Sequence, residues 1–363
     1  MQKKRFVLAA CAAIIAQAGA AQADVVNVFN WSDYITDEVL ERFTEETGIT
    51  VNYDVYDSND TLEARLLAGS SGFDVVVPTA TFLQRQIAAG VYQPLDRDQL
   101  PNWEHMDEGL MAAAAAHDTG NEHATIYMWG TTGIGYNIDM VAERLGEDFE
   151  VDTWDMVFDP EIAAQLADCG ISWLDSPTDM FPAAFAWMGL DPQSTDAADF
   201  EAAAEMMLEA RPHVRYFHSS QYISDLANGE ICVAVGWSGD VLQAADRAEE
   251  AGRGVNVWYA IPREGAMQWF DMLAIPADAP NPENAHAFIN FMMEPSVAAE
   301  ITNYVWFPNA NATAFDLVDE DIRTDPAIYP TDDVLETLFT GVTYDSSTDR
   351  TVTRHWTRIR TGQ

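Results

Sequence analysis

Residues 73–77 read Phe73-Asp74-Val75-Val76-Val77, four apolar side chains and one carboxylate. A run this short and this apolar predicts a strand covered on both faces, as in the interior of a parallel sheet. Toward the N-terminus, residues 59–68 have helical spacing and residues 49–56 alternate as a strand. Ahead of those, Thr36 can cap a helix that runs through Glu46 and stops at Gly48, and residues 25–30 are β-rich. Toward the C-terminus, residues 83–89 are helical again. Strand and helix in regular alternation predict an α/β lobe.

The rest of the chain repeats that class. Extended segments are expected at residues 131–137, 231–236, 255–262 and 270–275, and helices at 140–145, 199–209, 219–227 and 283–293. Arg350, Arg354 and Arg358 fall on one face of a C-terminal helix. That stripe could serve docking, but a basic helix lying against an acidic body is the simpler expectation. No repeat or low-complexity tether separates the parts. At 363 residues a single hydrophobic core is not expected, so two lobes are.

Acidic side chains number 59 against 18 lysines plus arginines, a formal net charge of −41. Phosphate-rich partners need basic residues that are scarce here, so nucleic acids, anionic membranes and phosphorylated substrates are disfavoured. Cations are the natural partners. Hydrophobic residues make up 48%, too many for a disordered acidic tail. Lys3, Lys4 and Arg5 precede an apolar stretch at residues 6–15, and Ala21-Gln22-Ala23 then offers a cleavage site. This is the pattern of an export signal over residues 1–23, too short to span a membrane. Leu8-Ala9-Ala10-Cys11 would suit lipoprotein processing instead, with an apolar region of only five residues before the cysteine.

Cleavage after Ala23 removes three basic residues and no acidic one, leaving 15 against 59, a net charge of −44 with no lysine at all. Such a surface is expected to suit a saline exterior, because salt screens self-repulsion. Cys169 and Cys232 then remain, an even pair for an oxidising compartment. One disulfide is expected, two separate buried thiols being the alternative. Neither belongs to a C-x-x-C pair, so thiol redox catalysis is not expected.

Enzymatic signatures are weak. The seven histidines, from His105 to His355, form no zinc-binding spacing such as H-E-x-x-H. Ser219 and Ser220 follow His218 without a G-x-S-x-G elbow, and Gly133 with Gly135 lacks the third glycine of a dinucleotide loop. Neither a metal nor a cofactor is called for, and an enzyme is not the expectation. More informative are three places where tryptophan stands within three residues of aspartate: Asn30-Trp31-Ser32-Asp33-Tyr34, Gly236-Trp237-Ser238-Gly239-Asp240 and Gln268-Trp269-Phe270-Asp271. Any one of them alone is read more simply as core packing. Together they describe a box for an organic cation. Aromatic faces attract an ammonium by roughly 0.5–2 kcal/mol each. A carboxylate roughly 4 Å away adds about 4 kcal/mol at an effective dielectric of about 20. A primary amine like lysine's, with a pKa of about 10.4, stays charged at neutral pH. The residues alone point to an exported two-lobe receptor for an amine.

At these motifs the chain resembles the polyamine-binding family of periplasmic solute receptors, and within it the putrescine-binding branch that serves an ABC importer. The similar segments are long: VFNWSDYI, YDVYDSNDTLE, AGSSGFDVVVP, MWGTTGIGYN, RYFHSSQYISDLANGEICVAVGWSGD, IPREGAM and the final WTRIRTG. The resemblance implies a type II periplasmic binding protein fold, two α/β lobes with ligand held in a cleft that closes by hinge motion. It implies discontinuous lobes, 24–131 with 260–305 and 132–259 with 306–363, crossed near 131–133, 257–262 and 305–309. It also implies a periplasmic protein, with a Cys169–Cys232 disulfide in the second lobe, that delivers putrescine or a related polyamine to an inner-membrane permease and its ATPase. A monomer is expected.

Carried over residue by residue, Trp31, Ser32, Asp33 and Tyr34 match the first-lobe motif, with Trp31 stacking on the alkyl chain and Ser32 bonding an amine. Trp237 and Asp240 match the second-lobe wall and its anchor, and Asp271 matches the first-lobe carboxylate that grips an ammonium. Thr79, Asp179, Trp269 and Phe307 stand at pocket positions where the putrescine branch has Ser, Glu, Phe and Tyr. Asp179 is one methylene shorter and Phe307 lacks a hydroxyl, departures that bear on affinity and diamine length. Relatives that prefer spermidine carry Thr where Ser32 stands and Ser where Asp240 stands. Putrescine is therefore expected to bind at least about tenfold tighter than spermidine, or about 1.4 kcal/mol. Spermidine, cadaverine or agmatine as ligand, and an exported amide or amine hydrolase, are the competing readings.

Overall fold

The computed structural model describes residues 24–363; the export signal expected at 1–23, and with it the lipoprotein alternative at Cys11, lies outside the described residues. Strand β1, Val25–Trp31, pairs in parallel with β2, Thr50–Tyr56, on one side and with β3, Val75–Val76, on the other. Helix α1, Asp37–Thr47, connects the first two and is capped as its sequence predicts. The Thr36 hydroxyl accepts from the Val39 N–H, and Gly48 ends the helix at a φ of 76°, where a side chain would be strained. Helices α2, Asn59–Leu67, and α3, Ala80–Ala88, flank β3.

Two expectations about the apolar run are corrected. The regular strand is two residues long, and the sheet around it is mixed, because β9, Met267–Ala274, returns from far along the chain to pair antiparallel with β3 at Val76 and Ala274. Asp74, the carboxylate inside the run, is fully buried. It is tolerated because it accepts from the backbone and side-chain N–H groups of both Asn27 and Asn281.

Strand β4, Ala124–Asn137, is 14 residues long and buried throughout. Most of it pairs antiparallel with β9, and its C-terminal half pairs with β7, Val233–Trp237, and β8, Val257–Ala260. Beyond β7 lie β5, Ile171–Trp173, and β6, Val214–Phe217, while β10, Phe339–Thr340, adds to β9. One sheet, ordered β2-β1-β3-β9-β4-β7-β5-β6, runs through the molecule.

Apolar packing on that sheet divides in two. One core gathers Val26, Phe43, Val75, Leu83, Phe270 and Phe288, and the other gathers Trp154, Trp173, Phe181, Phe200, Val235 and Trp356. Burying each such side chain contributes roughly 1.5–3 kcal/mol. Strand β4 serves both, with Ile126 and Met128 in the first core and Ile134 and Tyr136 in the second. The fold is thus α/β with two lobes on a shared sheet. Cys169 and Cys232 are joined by a disulfide within the second core, 63 positions apart in sequence. The C-terminal helix, Ser346–Thr361, lies against acidic neighbours, with Arg358 2.7 Å from Glu205 and Arg360 3.1 Å from Asp175. Among the described residues no helix is long and apolar enough to cross a membrane, and no cluster of His, Cys, Asp and Glu could hold a metal ion.

Candidate ligand-binding site

A cavity of about 1440 Å³, open mouth included, is lined by residues attached to both cores. Strand ends and helix starts form its wall, so the segments that carry the Trp–Asp motifs converge there: the end of β1, the β7–helix junction and the middle of β9. Ten of the eleven site residues expected from the sequence line it, namely Trp31, Ser32, Tyr34, Thr79, Asp179, Trp237, Asp240, Trp269, Asp271 and Phe307. Asp33 does not. It sits at a φ of 55° just past β1 and pairs instead with Arg247 at 3.0 Å, its side chain 42% exposed. Arg247 belongs to helix Ser238–Ala251, so the pair ties a loop of the first core to a helix of the second. So exposed a pair contributes little to stability, at most about 1 kcal/mol.

Three buried carboxylates dominate the electrostatics. Asp271 accepts from the Thr79 hydroxyl at 2.7 Å and the Tyr34 hydroxyl at 2.9 Å. Thr79 is oriented in turn by the Asn59 amide, which donates to its oxygen at 2.9 Å. Burial pushes the Asp271 carboxyl up to about 7; the two hydroxyls oppose the rise and Asp179 adds to it. Asp240 accepts from the Tyr222 hydroxyl at 2.7 Å. Burial lifts it to about 7 as well, with Tyr222 and Arg247 opposing and Asp33 and Asp271 reinforcing. Asp179 accepts from the Thr132 hydroxyl at 2.6 Å, from the Trp237 indole N–H at 3.2 Å and from the Ser176 hydroxyl. Burial raises its pKa in spite of these three donors.

Asp179 and Asp240 each stand in the first turn of a helix, Pro177–Met188 and Ser238–Ala251, where the helix dipole favours a carboxylate. Burial outweighs that help, because the ionised form has lost its water. Among the described residues none of the three makes an ion pair. A cation placed between them would supply what the protein does not.

Aromatic rings form the remaining wall. Trp31 and Trp237 meet edge to face with centroids 5.8 Å apart, Trp31 being pinned by its indole N–H to the Val77 carbonyl at 2.9 Å. Phe307 packs edge-on against Tyr34 at 5.4 Å and Trp269 at 5.3 Å. Its approach depends on Gly239, where a Cβ would lie 2.5 Å from the Phe307 ring. The Trp269 indole N–H is buried without a partner.

Sequence reasoning passed over Thr132, Ser176 and Tyr222, which hold the anchors yet lie outside every Trp–Asp motif. It also passed over Asp57, Asp60, Asp175, Asp349 and Arg85, which line the same cavity. Arg85 is held by Glu63 at 2.7 and 2.8 Å and stands 3.6 Å from Asp349. In a chain this acidic, single carboxylates carry no signal.

The family model for bacterial extracellular solute-binding proteins matches residues 38–331. The putrescine-binding periplasmic protein of Pseudomonas aeruginosa (strain UCBPP-PA14) is 54% identical over 361 residues, covering 99% of this chain and 98% of the relative. The putrescine-binding periplasmic protein of Escherichia coli (strain K12) is 50% identical over 345 residues, covering 95% and 93%. Among solved structures, the spermidine/putrescine ABC transporter substrate-binding protein of Streptococcus pneumoniae superposes with a TM-score of 0.77 at 25% identity, covering 93% of this chain and 99% of that one. On this full-length similarity, the chain belongs to the family of bacterial extracellular solute-binding proteins.

Proposed function

We propose that the protein is a periplasmic receptor that captures putrescine between its two lobes and delivers it to an inner-membrane ABC permease and its ATPase. The observation that carries this reading is the set of three buried carboxylates, Asp179, Asp240 and Asp271, hydrogen-bonded by neutral donors inside an aromatic box. A diammonium provides two positive charges for them, and Trp31, Trp237 and Trp269 can flank its methylenes. Trp31, Ser32, Tyr34, Thr79, Trp269 and Asp271 would act from a first lobe of residues 24–131 and 260–305. Asp179, Trp237, Asp240 and Phe307 would act from a second lobe of residues 132–259 and 306–363, with Asp33 as a clasp beside the cavity. In this reading the receptor works as a monomer, needs no cofactor and returns its ligand unchanged.

One observation favours a longer amine. Besides the three anchors, the same cavity is lined by Asp57, Asp60, Asp175 and Asp349, carboxylates that a third amine could reach. Calorimetric titration with putrescine, cadaverine, spermidine and agmatine tests both readings. Putrescine is expected to bind at least about tenfold tighter than spermidine. Equal or tighter spermidine binding would replace the ligand and keep the polyamine class. Silence with all four amines, or chemical conversion of any of them, would overturn the receptor reading itself.

A further inference from the structure

We propose that the Tyr222 hydroxyl is the positioning group for the second-lobe half of the site, holding both the Asp240 carboxylate and the Trp237 backbone where a bound amine meets them. Tyr222 belongs to helix Gln221–Ala227 and is fully buried directly behind the cavity wall. Its oxygen donates to Asp240 Oδ2 at 2.7 Å and accepts the Trp237 backbone N–H at 3.2 Å. Trp237 closes β7 and its side chain reaches on to Asp179 at 3.2 Å. A continuous set of three hydrogen bonds therefore joins Asp240, Tyr222, Trp237 and Asp179. Asp240 lines the cavity, and its Oδ1 has no hydrogen-bond partner among the described residues, which leaves that oxygen free for a bound amine while Oδ2 is held by Tyr222.

The backbone is shaped around this ring. A Cβ at Gly236 would lie 2.6 Å from the Tyr222 ring, so the glycine lets the ring cross β7 closely enough to reach Asp240. The groups that face Asp240 are Tyr222, Arg247 on its own helix, Asp33 and Tyr34 on the segment after β1, and Asp271 on β9. Arg247 is committed to Asp33 at 3.0 Å and to Gln243 at 3.3 Å. Tyr222 is the one of the five that donates a hydrogen bond to the carboxylate. Without its hydroxyl, the Trp237 N–H loses its acceptor and Asp240 becomes harder to ionise.

The inference rests on Asp240 being an amine anchor, as proposed above. Tyr222→Phe keeps the ring and its packing and removes only the oxygen. Putrescine titrations of this variant and of wild type, from pH 6 to 9, read affinity and the pH at which it rises. Tyr216→Phe is the control: it also loses a hydroxyl–carboxylate bond, to Asp225 at 2.6 Å, but away from the cavity. We expect Tyr222→Phe to bind at least about tenfold more weakly at neutral pH, with its pH midpoint moved upward, while Tyr216→Phe keeps both values. In a cycle with Asp240→Asn, Tyr222→Phe should cost less affinity than it does in wild type, because part of its effect acts through that carboxylate and only the part through Trp237 remains. A Tyr222→Phe variant that melts lower yet keeps wild-type affinity and pH midpoint would make the hydroxyl merely structural and overturn the proposal. If wild type itself ignores putrescine, the reading of the site fails first.

Discussion

Replacing Asp271 with Asn keeps the volume of the side chain and takes away its charge. In the free protein that carboxyl accepts from Thr79 at 2.7 Å and Tyr34 at 2.9 Å, and burial lifts its pKa to about 7. An ammonium roughly 4 Å away gains about 4 kcal/mol at an effective dielectric of about 20. Asp271→Asn should therefore weaken putrescine binding by about 2–5 kcal/mol at pH 8, where the wild-type carboxyl is ionised. A second signature lies in the protons. A bound dication holds Asp271 and Asp240 ionised, so binding expels any protons that the free carboxyls carry. With both pKa values at about 7, each carboxyl raises affinity about tenfold between pH 6 and pH 8, roughly a hundredfold together. The variant keeps only the Asp240 share, about tenfold.

Stability of the free protein runs the other way. A carboxyl whose folded pKa exceeds its unfolded value of about 3.9 stabilises the fold at low pH and loses that contribution as pH rises through about 7. Free Asp271→Asn should accordingly melt higher than free wild type at pH 8. Isothermal titration at pH 6, 7 and 8, in two buffers of different ionisation enthalpy, measures affinity and proton release together. Binding of the variant within threefold of wild type at pH 8, or an unchanged dependence of affinity on pH, would refute the cation box at its centre.

Three further outcomes are expected. Replacing Cys169 and Cys232 by Ser opens a loop with a sequence separation of 63 and should cost about 4 kcal/mol of unfolding free energy, read by urea titration, while leaving affinity for putrescine near wild type. The melting temperature of the wild-type protein should climb from low to molar NaCl, and a flat or falling curve would contradict an acidic surface that salt relieves. Asp33→Asn breaks the clasp with Arg247 and removes a charge that makes Asp240 harder to ionise, so the anchor is not weakened, and stopped-flow measurements should show faster putrescine release; an unaltered release rate would mean the clasp does not restrain the closed cleft.

The local grammar of the first hundred residues was readable because it is written in short-range terms. Thr36 and Gly48 bracket α1 by capping and by backbone freedom, and the alternation of residues 49–56 gives β2 its period. The pairing of β3 with β9 was not readable. Nothing near Val76 specifies Ala274 as its neighbour, and the apolar run looks the same in a parallel or a mixed sheet. The site divides in the same way. Trp31, Trp237, Trp269, Asp240 and Asp271 announce themselves because aromatic and acidic residues stand together in the chain. Tyr222 and Thr132 reach the anchors only through tertiary packing, while Ser176 bonds Asp179 three residues on, in a segment without the tryptophan that marks the other motifs. Asp33 stands in the most conspicuous motif and still faces away, because its left-handed backbone turns it toward Arg247.

The single sheet shared by both cores also constrains the order in which the chain can fold. Strands β1, β2 and β3 come early, but β3 keeps a bare edge until β9 arrives at Met267–Ala274. Contacts of such sequence separation form slowly, since a long loop must close before they reward it. A growing chain that has delivered only its first two hundred residues therefore holds an unfinished lobe with an open strand edge, the geometry that invites pairing between chains. Mutual repulsion among so many carboxylates opposes that association while the chain waits. The same acidity that favours cations as partners would then also act as a solubility device for a protein whose earliest strands are among the last to be completed.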